Sequence, residues 1–142
     1  NKNINIMELS SYVSAQIIGA MIASFSHKFF WGTEHSFGMT INKLTFIKGF
    51  SLEVLISIFL MLTIISVATD ERVSKSIAGL SIGGVITVCS FVAGPFTGAS
   101  MNPARSLGPA IISNEFSSII IYIIAPVVGA LLGLYLYRFI AD

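Results

Sequence analysis

Apolar residues in this chain come in long blocks separated by short polar ones. Such blocks are too long for strands and long enough for helices that cross a bilayer. Residues 1–9 are polar with scattered apolar positions and read as a loop. Apolar blocks cover about 12–31, 50–69, 77–93 and 118–140. The stretch 32–48, with Glu34, His35, Lys43 and Lys48, and the charged turn 70–76 read as extramembrane loops. Gly94-Pro95 is expected to end the third helix, and Pro126 to kink the last. Ala15, Gly19 and Ala23 recur every fourth residue, and Gly79/Gly83 and Gly129/Gly133 are Gly-xxx-Gly pairs. Small residues at this spacing let helices approach closely, which is the reading favoured for Ala15, Gly19 and Ala23 over incidental spacing.

One segment breaks the pattern. Gly98-Ala99-Ser100-Met101-Asn102-Pro103-Ala104-Arg105 is polar inside an otherwise apolar region. Asn is a strong N-cap and Pro is favoured at the first helical position, so a helix is expected to start here and to run over 102–113. Roughly 12 residues at 1.5 Å each give about 18 Å, near half a bilayer core. That length fits a re-entrant half-helix, and a polar helix start at membrane depth is tolerated only where it is buried in protein or lines a wet cavity. The expected fold is therefore an all-α integral membrane protein with about four spans and one re-entrant half-helix.

Composition agrees. Of 142 residues, 54% are hydrophobic and 11% charged, against about 25% charged in soluble domains. Mean hydropathy is +0.86. A net charge of +1 gives no reason to expect a nucleic-acid partner. Cys89 is the only cysteine, so an internal disulfide is excluded. His27 and His35 are the only histidines, a poor basis for a metal site or His-based catalysis; no cofactor and no enzyme activity are expected. Lys2, Arg72, Lys75 and Arg138 fall on one side of this topology and Lys28, Lys43, Lys48 and Arg105 on the other, so positive charge assigns no orientation. The first residue is Asn1 rather than Met and no signal-peptide pattern follows it, from which a piece of a longer protein is expected.

Four residues carry the candidate chemistry. Arg105 is the only charge between Val85 and Ser113. An Arg at this depth is costly, and one in the first turn of a helix is also opposed by the helix dipole. It reads either as a fixed cation lining a pore, repelling cations and donating to neutral solutes, or as a structural Arg satisfied by carbonyls. Asn102 can cap the half-helix with its side-chain oxygen and leave its NH2 group as a fixed donor; the bland reading is a cap alone. Glu53 is an ionisable group inside the second span, either a proton relay or an anchor for backbone N–H groups. The anchor is favoured, because no second intramembrane acid or His completes a relay. Ser90 could line a cavity or bond back into its own helix.

The run from Gly94 through Asn102-Pro103-Ala104-Arg105 to Ala110 resembles the second Asn-Pro-Ala loop of the aquaporin (major intrinsic protein) family. Thr69-Asp70-Glu71-Arg72 with Ala78-Gly79-Leu80 looks like that family's intracellular loop and fifth helix, and residues 12–19, with Gln16, like its third. The resemblance covers essentially the whole chain and implies helix three to helix six of an incomplete aquaporin-like right-handed bundle. Helices one and two and the first Asn-Pro-Ala loop are absent, so 1–142 is expected to be a partial channel domain. By resemblance Glu53 is the buried Glu of the fourth helix, and Arg105, Ser90 and Ala99 occupy three positions of the selectivity filter. The carbonyls of Gly98, Ala99 and Ser100 would line the pore. Ser106 and Ala110 look like water channels, whereas Tyr122 and Ile123 look like nodulin-26-like plant proteins and their bacterial relatives.

These resemblances imply passive flow of water and small uncharged solutes (glycerol, urea or metalloid hydroxides) with exclusion of ions and protons. They also imply a multi-pass protein of the cell membrane, a homotetramer when full length, with the lipid bilayer as its other partner. The alternatives are an ion-coupled secondary transporter with a broken helix and a non-conducting half-channel that needs a partner.

Overall fold

The computed structural model describes residues 4–32, 38–69 and 74–141. His35 and the 70–73 part of the charged turn lie outside the described residues. The described residues form five helices: α1 (Ile6–Trp31), α2 (Phe46–Thr69), α3 (Lys75–Thr97), α4 (Pro103–Ser113) and α5 (Ile119–Ala141). α1, α2, α3 and α5 are each long and apolar enough to cross a membrane. α4, at 11 residues, measures about 16 Å, roughly half a bilayer core. This is the expected all-α membrane architecture.

Two helix ends differ from expectation. α1 starts at Ile6, inside the stretch read as a loop, because Asn5 and Glu8 form a capping box. The Asn5 side chain accepts from the Glu8 N–H at 2.8 Å, and the Glu8 carboxylate accepts from the Asn5 N–H at 3.1 Å. Two orphan donors of the first turn are thereby satisfied. α3 does not stop at Gly94-Pro95 but continues to Thr97. A Pro near a helix end forfeits one N–H, a loss that membrane helices accommodate. The end comes at Gly98, whose φ of +82° is left-handed and whose N–H closes on the Gly94 carbonyl at 3.0 Å, a C-cap that suits glycine. α5 runs on as a helix through Pro126.

The chain divides into two compact units, Asn1–Met39 with Ala104–Ile119, and Thr40–Pro103 with Ile120–Asp142. In the first, α4 approaches α1 closely. A Cβ on Gly108 would fall 2.4 Å from the Ala20 Cβ and 2.5 Å from its carbonyl carbon. The contact register is thus Ala20, with Ser24 buried one turn on. Ala15, Gly19 and Ala23 are exposed, and nothing lies within 4 Å of a Cβ built on Gly19. The close approach expected along that stripe occurs one residue later, which turns it about 100° around the helix. After α4, Asn114 takes a φ of +57°. Glu115 accepts from the Ser117 N–H at 3.0 Å, which holds its carboxyl below the usual range.

In the second unit, α2 packs against both α3 and α5. Gly129 and Gly133 bring α5 onto α2: a Cβ on Gly129 would meet the Val54 carbonyl oxygen at 2.5 Å and the Ser57 Cβ at 2.6 Å. Ile56, Cys89, Ala93 and Ala99 form one buried apolar cluster. Ile121, Tyr122 and Ala125 form another, with Phe50 and Val54 against it.

Candidate functional site

The loop between α3 and α4 folds around a carboxyl group. Glu53, on α2, is fully buried. Its Oε1 accepts from the Thr97 hydroxyl at 2.6 Å and from the Ser100 N–H at 3.0 Å, and its Oε2 accepts from the Ser100 and Met101 N–H groups, each at 3.1 Å. The Thr97 hydroxyl also accepts from the Ala99 N–H at 3.2 Å, and the Thr97 carbonyl accepts from the buried Tyr122 hydroxyl at 2.7 Å. One acid and one threonine therefore collect three consecutive backbone N–H groups. Buried backbone donors need such partners, and a carboxylate can take several.

This anchor fixes where the loop's carbonyls point. In a trans peptide the C=O is directed opposite to the N–H of the next residue. The N–H groups of Ala99, Ser100 and Met101 turn toward Thr97 and Glu53. The carbonyls of Gly98, Ala99 and Ser100 consequently point away from the anchor. Holding this zigzag requires left-handed backbone at Gly98 (φ +82°), Ala99 (φ +48°) and Met101 (φ +54°), conformations that non-glycine residues adopt at a cost. The anchor's hydrogen bonds offset that cost. Gly98 is constrained further, since a Cβ there would meet the Thr40 Cα at 2.8 Å.

Other candidates fall as follows. Asn102 is exposed and Pro103 is the first residue of α4, where the sequence placed the helix start. The Asn102 carbonyl accepts from the Ser100 hydroxyl at 3.0 Å. Ser90 is exposed and opens, with Ile86, Thr87 and Phe91, onto a groove of about 330 Å³. The Ala99 side chain is buried against Cys89 and Ala93, so the carbonyl is the group that Ala99 presents away from the core. Ala104 is buried, and Arg105 is half-buried in the first turn of α4, where its guanidinium donates to the Gly38 carbonyl. A guanidinium carries five N–H donors on a planar group, so it can serve more than one acceptor at once.

Sequence reasoning missed Thr97 and Tyr122 as loop supports, and Gly38, Met39 and Ser113 around α4. Their partners lie far along the chain: 44 residues separate Thr97 from Glu53, and 74 separate Ser113 from Met39. No local spacing signals them.

Residues 1–137 match the family model described as Major intrinsic protein. The chain is 40% identical over 136 residues to Nodulin-26 of Glycine max, covering 95% of this chain and 50% of that protein. It is 41% identical over 134 residues to Aquaporin NIP1-1 of Zea mays, covering 94% and 48%. It is 39% identical over 122 residues to Aquaporin NIP6-1 of Arabidopsis thaliana, covering 86% and 40%. The chain spans about half the length of these curated relatives.

Proposed function

The chain belongs to the major intrinsic protein family, and from that premise we propose that it supplies one loop-and-half-helix element of a passive membrane channel for water and small uncharged solutes. The observation that carries this reading is the row of three carbonyls, Gly98, Ala99 and Ser100, turned away from a buried Glu53 anchor. A row of fixed acceptors can replace a solute's lost hydration without binding it tightly, which is what conduction requires.

The other roles follow from chemistry. Asn102, exposed at the start of α4, donates from its amide to the oxygen of a passing water or hydroxyl. The positive end of the α4 dipole stands at the same helix start and disfavours cations and protons. Arg105 adds a fixed charge of the same sign and more donors. Ser90 is small and exposed, and Ala99 presents its carbonyl rather than its buried side chain, which together favour a wider filter than a strict water channel has and admit glycerol, urea or metalloid hydroxides. Pro103 and Ala104 shape the helix start, and Glu53 shapes the loop. The channel assembles as a homotetramer in the bilayer, in keeping with the family. No bond is made or broken, so the reading is a channel and not an enzyme.

The test is stopped-flow swelling of liposomes holding the purified chain, with water, glycerol and urea. Water permeability above that of protein-free liposomes, unchanged by ionophores, supports the channel. Ionophore-sensitive uptake against a gradient would favour the ion-coupled transporter. Permeability equal to that of empty liposomes, with helices intact, would favour a half-channel that conducts only with a partner.

A further inference from the structure

Two tethers join one dipeptide of the α1–α2 connection to α4. In the first turn of α4, the Arg105 guanidinium donates to the Gly38 carbonyl. At the last residue of α4, the Ser113 hydroxyl stands 2.9 Å from the Met39 sulfur. That hydroxyl has one proton, and the Pro109 carbonyl, at 2.8 Å, also lies within its reach. The thioether is a weak acceptor on a flexible chain, so it shares the hydroxyl with the helix backbone and packs directly against it.

Gly38 has a φ of +78°, and nothing lies within 4 Å of a Cβ built on it. Gly38 thus has no side-chain packing to hold it in this left-handed conformation, and the contacts at its own carbonyl and at Met39 tie the dipeptide to α4. We infer that Met39 and Ser113 are positioning residues for Arg105: they hold the Gly38 carbonyl against the guanidinium and so fix where the cation stands. For its consequence in solute selection this inference rests on the channel reading above. The tether itself does not.

The test separates the two. The chain carries five methionines: Met7, Met21, Met39, Met61 and Met101. With 13C-labelled methionine methyls and the full chain in detergent micelles, Ser113→Ala and Arg105→Val should each move the Met39 signal and leave those of Met7, Met21 and Met61 in place. Those unmoved signals also report that the variants fold. In liposomes, Ser113→Ala and Met39→Ala should raise the glycerol-to-water permeability ratio several-fold, and Ser113→Thr, which keeps the hydroxyl, should restore it. Combined with Arg105→Val, Ser113→Ala should add nothing, as expected of residues acting through one group. A Met39 methyl blind to Arg105→Val overturns the inference. So does a Ser113→Ala effect that is equal with and without Arg105. Coupled methyl shifts in a chain that passes no water would uphold the positioning and overturn conduction by this chain alone.

Discussion

Glu53 on α2 and Arg105 on α4 each put an ionisable side chain into an apolar stretch, and the fold treats them in opposite ways. Glu53 is fully buried, and both of its oxygens are engaged by Thr97, Ser100 and Met101. Arg105 is half-buried and spends a donor on the Gly38 carbonyl, at the edge of a connecting loop. A polar group closed off from solvent by its own chain shapes that chain, and one that keeps some exposure can also meet something outside it. By its bonds Glu53 is an anchor for its own loop, and under the channel reading proposed above Arg105 is the working cation. An ionisable side chain in a membrane segment is a functional candidate by default; exposure and partner count decide which kind of function it has.

The sharpest way to break the contrast is to remove the acid. Glu53→Ala orphans the Ser100 and Met101 N–H groups, and at about 1–3 kcal/mol per buried donor the loss should be roughly 2–6 kcal/mol. Thermal unfolding in detergent should show it as the largest destabilisation among these variants. Glu53→Gln keeps one acceptor and should lose less. If Glu53→Gln instead left stability intact and abolished a pH dependence of flux, Glu53 would be a relay and the contrast would collapse.

Arg105→Val should reverse the pattern. The bond from this half-buried charge to the Gly38 carbonyl is worth about 1.5–3 kcal/mol, less than the loss of the Glu53 anchor. Selectivity should suffer instead: the ratio of glycerol to water permeability should rise several-fold and potassium or proton leak should appear in dye-loaded liposomes. An unchanged permeability profile in a folded variant would remove Arg105 from the working class.

Much of this was legible in the sequence, for identifiable reasons. Long apolar blocks announce spans, and Asn102-Pro103 announces a helix start, because both signals are local. The anchoring role of Glu53 was legible by elimination, since no second acid stands near it. The Thr97 and Tyr122 contributions were not legible, because a hydroxyl meeting a carboxylate 44 residues away depends on how α2 and α3 pack. The start of α1 was readable in Asn5-x-x-Glu8 but was outweighed by the polar character of its surroundings. Pro95 misled because the helix end depends on where the backbone can turn left-handed, and Gly98 offers that three residues later.

The two Gly-xxx-Gly pairs carry the same contrast to the scale of a single methyl group. Gly129 and Gly133 are filled by α2, whereas nothing lies within 4 Å of a Cβ built on Gly79 or Gly83. As written, the motif states only that a close approach is possible. Gly129→Ala drives a methyl against the Val54 carbonyl and the Ser57 Cβ, and overpacking of this kind costs about 1–3 kcal/mol. Gly83→Ala meets no neighbour and replaces a poor helix former with a good one, so it should stabilise the isolated chain by about 0.4–1 kcal/mol. Unfolding midpoints of both variants, measured side by side, should move in opposite directions. If Gly83→Ala destabilised the chain as Gly129→Ala does, α3 would be meeting a neighbour that this chain does not contain. Gly83 would then be the close-approach position for that neighbour, as Gly129 is for α2.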